Sequence, residues 1–142
     1  MKFLLDSNTL RAYIDRHPTV VRNVERTADE DLYVASVVFA EQLRGRYDAL
    51  TKAEVQDLLR MEERLRETQA TLQRFQVLWY TPAAIGQLMQ LKSKFNTRKR
   101  KADAIQAALA LAEDAVVVTR NLKDFNDLLP DAKIENWIDR LY

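Results

Sequence analysis

Acidic and amide side chains occur in four separate segments of the chain, each where a strand is predicted to end or a helix to begin. Asp6 follows a short apolar run, and Glu41 lies inside an apolar helical segment. Asp103 begins an alanine-rich helical segment, while Asn121 and Asp124 follow a run of valines. Oxygen ligands of this kind suit a hard cation such as Mg²⁺ or Mn²⁺. The segments together therefore suggest a shared cation site and phosphodiester chemistry.

Each of these residues also has a simpler explanation. Asp6 can cap the helix that follows it, Asp103 can interact with a helix dipole, and Asn121 can form an Asx turn. Glu41 can lie on a solvated stripe of its helix, but it follows Val38 by three residues, on the face that we expect to be buried. We therefore favour a carboxylate that points inward toward a cation or a donor. The simpler explanations do not predict that four such segments occur together. Carboxylates that converge repel one another unless a cation lies between them.

The composition excludes several kinds of site and membrane segment. The absence of cysteine excludes disulfides, thiolate zinc sites and cysteine nucleophiles, and a single histidine, His17, excludes a histidine-rich metal site. The 142 residues, of which 47% are hydrophobic and 30% charged, fit one globular domain. No apolar run approaches the roughly 20 residues of a membrane span. The opening apolar run is too short for a secretory signal, so we expect a cytoplasmic protein without a membrane segment.

Short apolar runs alternate with helical patterns along the chain. The predicted strands cover residues 2–5, 32–35, 76–80, 115–119 and 133–135. The predicted helices cover residues 9–15, 19–27, 37–47, 51–75, 82–95 and 102–112, with Ser36, Thr51 and Thr81 as caps and a helical turn from Leu122. This alternation predicts an α/β fold, a mainly parallel sheet of about four or five strands between layers of helices. Ligands bind such sheets at the carboxyl ends of the strands, where Asp6 and Asn121 are predicted to lie.

The four segments resemble the PIN-domain family, and within it the VapC toxins of type II toxin–antitoxin systems. The resemblance lies in residues 4–8, 36–45, 103–110 and 119–125, in the family's order and near its spacing. The resemblance implies a PIN-like three-layer sandwich in a single domain, residues 1–142, with a charged helical segment at about residues 48–76. It also implies a Mg²⁺- or Mn²⁺-dependent endoribonuclease that forms a homodimer and is neutralised by a cognate antitoxin.

The resemblance also implies roles for individual residues. Asp6, Glu41 and Asp103 match the metal-binding catalytic acids of the family, and Asn121 takes the fourth catalytic position. Positions that would support these residues through hydrogen bonds or charge fall on Asn8, Ser36, Thr119 and Asp124. Either Asn121 or Asp124 could be the fourth site residue.

A basic segment stands immediately before Asp103 and could contact RNA phosphates beside the acids. The candidate RNA-binding residues are Arg98, Lys99, Arg100, Lys101, Arg11 and Arg44. Each of them could also be an ordinary solvated side chain.

Two residues depart from the family pattern: Gln42 and Gln106 stand where the family has apolar residues or alanine.

Two other functions remain open from the sequence. Residues 6–10 also resemble the opening motif of haloacid-dehalogenase-type phosphatases, in which Asp6 would be the nucleophile. Asn8 replaces the second acid of that motif, and no Asp-Asp pair follows a later strand. The other alternative is a PIN-like protein without catalysis that acts by binding or regulation.

Overall fold

A parallel five-stranded sheet forms the centre of the protein, as seen in a computed structural model that describes residues 1–141. Its strands are β1 (Lys2–Leu5), β2 (Leu32–Ala35), β3 (Gln76–Leu78), β4 (Ala115–Val118) and β5 (Ile134–Glu135). The strand order is β3-β2-β1-β4-β5, so β1 lies in the middle. Leu5 pairs with Val34 of β2 and with Val118 of β4, which aligns the carboxyl ends of the three central strands.

Helices connect the strands and cover the sheet. They are α1 (Ser7–Ile14), α2 (Pro18–Glu25), α3 (Ser36–Lys52), α4 (Leu58–Arg74), α5 (Pro82–Lys94), α6 (Lys101–Glu113) and the short α7 (Leu122–Phe125). Three 3-10 turns occupy Asp29–Asp31, Val55–Asp57 and Asp131–Lys133. The predicted α/β fold with a parallel sheet flanked by helices is therefore confirmed.

The central strands explain why the sheet was visible in the sequence. Every residue of β4 is buried, and Leu4 and Leu5 of β1 are completely enclosed. Parallel strands that are covered on both faces appear as continuous apolar runs in a sequence. Trp137 is also fully buried and packs on Phe3 of β1, with ring centroids 5.1 Å apart. This core holds β1 and β4 side by side and fixes the positions of the residues that follow them.

The helical region after β2 differs from the prediction at both of its caps. α3 begins at Ser36 itself, its N-cap is Ala35, and no side chain caps it. The Thr51 hydroxyl donates to the backbone oxygen of Tyr47 at 3.1 Å, so Thr51 belongs to the last turn of α3. The capping role predicted for Thr51 is therefore wrong. The charged segment comprises the end of α3, a 3-10 turn and α4.

Within residues 1–141, no helix is long and apolar enough to cross a membrane.

Candidate active site

Asp6 directly follows the central strand β1. Its backbone N–H donates to the Val118 oxygen at 3.0 Å, and its Oδ1 accepts the Thr9 N–H at 2.8 Å as the N-cap of α1. The residue is 7% exposed, and burial raises the pKa of its carboxyl above the ordinary value. Hydrogen bonds from Thr119 and Thr9 oppose this rise, while repulsion from Glu41 adds to it. Asp6 is therefore both a helix cap and a buried, chemically perturbed acid.

Asp103 lies in the first turn of α6 and faces the same region. Its pKa is raised to about 6, chiefly by partial burial and then by repulsion from Asp124 and Asp6. The Arg100 guanidinium opposes the rise, and Glu41 makes a smaller repulsive contribution. These interactions place the acid that follows β1 and acids of α3, α6 and α7 in one electrostatically coupled group. Perturbed carboxyls that share a region are typical of functional sites.

Glu41 does not point into the core, contrary to the prediction. The buried positions of α3 are Val38 and Gln42, four residues apart, while Glu41 is exposed. Neighbouring helical residues are rotated by roughly 100° about the axis, so Gln42 takes the inward direction and Glu41 the rim of the site. There its Oε2 accepts a hydrogen bond from the Ser7 hydroxyl at 2.5 Å. The hydrogen-bond partner of the Glu41 carboxylate is thus Ser7 of α1, the residue next to Asp6.

Asn121 and Asp124 form a hydrogen-bonded pair after β4. The Asn121 side-chain N–H donates to the Asp124 carboxylate, and the Asn121 backbone N–H donates to Thr119 Oγ1 at 2.9 Å. Asp124 is the strongest source of charge repulsion on Asp103. Both residues therefore lie at the site. Within residues 1–141 the Ser36 hydroxyl makes no hydrogen bond to a carboxylate, so its predicted supporting role has no contact behind it.

The acids do not form a ready three-carboxylate cage. Among residues 1–141, no three acidic or histidine side chains are arranged to hold one metal ion. The metal-binding roles of Asp6, Glu41 and Asp103 therefore stay a prediction. Close carboxylates repel, and Glu41 and Asp124 are each held by a neighbouring donor. The donor set of carboxylate and amide oxygens nevertheless fits a hard cation. Magnesium takes only one or two carboxylates directly and keeps several waters.

The basic segment before Asp103 is not uniform. Arg100 donates to both carboxylate oxygens of Asp127, from Nη1 at 2.8 Å and from Nη2 at 2.5 Å, and also to the Asp124 backbone oxygen at 3.2 Å. The Arg100 guanidinium is therefore engaged in hydrogen bonds within the protein. Arg44 approaches Asp48 at 4.0 Å on the exposed side of α3. Among the candidate RNA-binding residues, those that are exposed and have no ion pair within residues 1–141 are Arg11, Arg98, Lys99 and Lys101.

Sequence reasoning missed two features of the site. Thr9 is fully buried, and besides its backbone bond to Asp6 its hydroxyl donates to the Val118 oxygen at 3.1 Å. Its position three residues after an N-cap was the available signal. Gln42 and Gln106 are buried, and within residues 1–141 Gln42 Nε2 and Gln106 Oε1 have no hydrogen-bond partner. Both had been noticed only as departures from the family pattern.

Comparison with known proteins gives a consistent result. The PIN-domain family matches residues 3–128. The tRNA(fMet)-specific endonuclease VapC of Salmonella typhimurium is 29% identical over 140 residues, which cover 96% of this chain and 98% of that protein. Ribonuclease VapC2 of Rickettsia felis is 25% identical over 142 residues, which cover 96% and 98%. The DNA-bound VapBC structure from Salmonella typhimurium superposes with a TM-score of 0.74 at 25% identity, covering 96% of this chain and 98% of that one.

The matched region contains the acid group and all the candidate RNA-binding residues. The names of the relatives agree with the VapC resemblance of the four motifs. The same match decides against the haloacid-dehalogenase-like alternative, which required another family. The chain belongs to the PIN-domain family, and the VapC resemblance that its motifs indicated is confirmed.

Proposed function

We propose that this chain is a divalent-cation-dependent endoribonuclease, the toxin of a toxin–antitoxin pair of the VapC type. The observation that carries the proposal is the coupled acid group at the carboxyl edge of the sheet, in which the pKa of Asp103 is about 6. Two acids that are partly or largely buried and repel each other are suited to bind a cation. The relatives named endonuclease and ribonuclease support RNA as the substrate.

Asp6 and Asp103 would hold a Mg²⁺ or Mn²⁺ ion, with Asn121 and Asp124 beside them. A bound divalent cation stabilises charge on a phosphoryl oxygen and makes a water molecule more acidic. The hydrogen bonds from Thr9 and Thr119 fix the Asp6 carboxylate in one orientation. This orientation is set before RNA binds, which reduces the reorganisation that the reaction requires.

Glu41 would accept the proton of the attacking water. Its carboxylate lies at the rim, where water and substrate can reach it, and the Ser7 hydroxyl restrains it. The Asn121 amide is restrained by Asp124 and would orient the water or the phosphate. RNA then lies across the carboxyl edge of the sheet, with its scissile phosphate between the rim and the buried acids.

The partners follow from the same proposal. Neighbouring solved structures are titled VapBC complexes, and one is titled a toxin–antitoxin complex from Klebsiella pneumoniae. We infer that a cognate antitoxin neutralises this chain and that it acts on RNA in the cytoplasm. Homodimerisation, which the resemblance implies, belongs to this proposal as well.

The test is RNA cleavage by the purified chain after any bound antitoxin has been removed under denaturing conditions. We expect cleavage with Mg²⁺ or Mn²⁺, none with a chelator, and a loss of at least about 100-fold in Asp103→Asn. Refolding is verified by circular dichroism for both proteins. A refolded parent that leaves RNA intact with either cation would support the binding or regulatory alternative instead.

A further inference from the structure

A cleft of about 540 Å³ opens beside the acid group, between α1, the turn that follows it and the residues after β4. Its volume falls in the range of sites that hold small organic groups. The polar side chains that line it include Asn8, Arg11, His17, Arg120 and Asn121. None of the roles proposed for the acid group uses the cleft as a whole.

The cleft adjoins the candidate active site, because two amides of its lining, Asn8 and Asn121, lie close to the acids in sequence or bond to one of them. Asn8 lies two residues after Asp6, in the first turn of α1. Asn121 donates to Asp124, the acid that perturbs Asp103 most strongly. A polymer that places one phosphate at the acids can therefore place its next unit in the cleft.

The charges of the cleft favour an anion. Arg11 is exposed and has no ion pair within residues 1–141. Arg120 donates from Nε and Nη2 to the Asp139 carboxylate, each at 3.1 Å, and remains largely exposed. The one carboxylate on the lining, Asp15, lies 3.7 Å from Arg64 of α4. Arg11 is thus the arginine of the lining that makes no ion pair within the described residues.

The amides of the cleft have free hydrogen-bonding groups. The exposed Asn8 side chain makes no hydrogen bond within the described residues. Asn121 uses one amide N–H on Asp124, which leaves its second N–H as a donor and its carbonyl oxygen as an acceptor. An amide presents a donor and an acceptor in one plane, the arrangement that reads the edge of a base. A phosphate and a base together match this lining.

We propose that this cleft binds the nucleotide adjacent to the scissile phosphate of an unpaired RNA segment. Arg11 binds the backbone phosphate, and the amides of Asn8 and Asn121 read the base edge. Sequence-specific proteins recognise RNA mainly in single-stranded segments, where base edges are accessible. The cleft therefore contributes to the choice of cleavage site. The inference rests on the proposed ribonuclease function. It adds Asn8 and Asn121 as the pair of residues that selects the substrate.

The test measures binding rather than cleavage. Fluorescently labelled unpaired RNAs that differ at one base are titrated against Asp103→Asn protein without divalent cations, using anisotropy. We expect Arg11→Gln to weaken binding about tenfold for all RNAs and to reduce the salt dependence by about one phosphate contact. Asn8→Asp and Asn8→Ala should change the relative affinities for the four bases. The control is Arg66→Gln, an exposed arginine of α4 outside the cleft.

The possible outcomes distinguish failure of the ribonuclease proposal from failure of the cleft inference. If no RNA binds to the Asp103→Asn protein, the cleft inference fails, whereas the ribonuclease proposal fails only if the parent leaves RNA intact in the cleavage test with Mg²⁺ or Mn²⁺. If RNA binds but the Arg11 and Asn8 variants behave like the Arg66→Gln control, only the cleft inference is overturned. The same result follows if Arg11→Gln weakens a purified cognate antitoxin and leaves RNA affinity unchanged, since the cleft would then bind protein. Exposed substitutions of this kind leave the fold intact, which melting curves verify.

Discussion

The Arg100 guanidinium donates two parallel hydrogen bonds to the Asp127 carboxylate, 2.8 Å and 2.5 Å long. This pair joins the N-terminus of α6 to the residues after α7. Because Asp103 lies on α6 and Asp124 on α7, the pair sets the separation of two acids in the candidate site. Arg100 also reduces the pKa of Asp103, although repulsion and burial outweigh it.

We predict that Arg100→Gln and Asp127→Asn are not additive. Each should lower the free energy of unfolding, and the double variant should lose less than the sum of the two. The expected coupling energy is about 0.5–1 kcal/mol, because the pair is partly exposed to solvent. Urea unfolding of all four proteins measures it. Strict additivity would show that the pair does not connect α6 with α7 energetically.

The stability of the protein should fall as the pH rises toward neutrality through the contribution of Asp103. Its pKa is about 6 in the fold and about 3.9 in an unfolded chain. Between these values the folded chain binds more protons, so this contribution is present at low pH and is lost as the pH rises through 6.

The measurement is urea unfolding between about pH 4 and pH 8 without divalent cations, for the parent and for Asp103→Asn. Subtraction of the two curves removes the acids with lowered pKa, such as Asp139, which have the opposite pH dependence. The variant should lose less stability than the parent as the pH rises. Parallel curves for the two proteins would show that Asp103 is not perturbed.

Glu41 should matter for catalysis and little for stability. Its side chain is exposed, so Glu41→Gln should change the free energy of unfolding by less than about 0.5 kcal/mol. Cleavage should fall by at least about 100-fold, because the amide cannot accept the proton. Ser7→Ala should cause a smaller loss, since it only releases the Glu41 carboxylate.

A matched control is Glu62→Gln, an exposed glutamate of α4. Initial cleavage rates of the three variants and the parent are compared on one RNA. Full activity of Glu41→Gln would remove Glu41 from the mechanism.

The two buried glutamines should destabilise the protein. Gln42 Nε2 and Gln106 Oε1 are enclosed without a hydrogen-bond partner in the part of the chain that the structure describes, and such groups cost about 1–3 kcal/mol. We therefore expect Gln42→Leu and Gln106→Met to raise the free energy of unfolding by about 1 kcal/mol each. Gln69→Leu on the exposed side of α4 serves as the control. A loss of stability in both buried variants would indicate that the amides have partners.

Much of the fold could be read from the sequence, because buried parallel strands are continuous apolar runs. The boundary near Thr51 could not. Thr51 resembles an N-cap, but its hydroxyl bonds back to Tyr47 within α3. Local hydrogen bonds of threonine serve either purpose, and only packing decides between them.

The candidate site was predictable in its members but not in their directions. Asp6 and Asp103 could be placed because strand ends and first helical turns have fixed positions in a parallel sheet. Whether Glu41 or its neighbour Gln42 points inward depends on a shift of one residue along the helix. Because the buried residue is the polar Gln42, the hydrophobic pattern of the sequence did not indicate it. The ion pair of Arg100 with Asp127 spans 27 residues and depends on tertiary structure alone.

The central claim is that the Asp6 and Asp103 carboxylates, which come from distant segments, bind one divalent cation, and Mn²⁺ titration followed by electron paramagnetic resonance tests it most directly. We predict that the antitoxin-free parent and the Glu62→Gln control bind Mn²⁺, and that Asp6→Asn and Asp103→Asn bind it much more weakly. Binding of Mn²⁺ by both of these variants with the parent's affinity would contradict the claim.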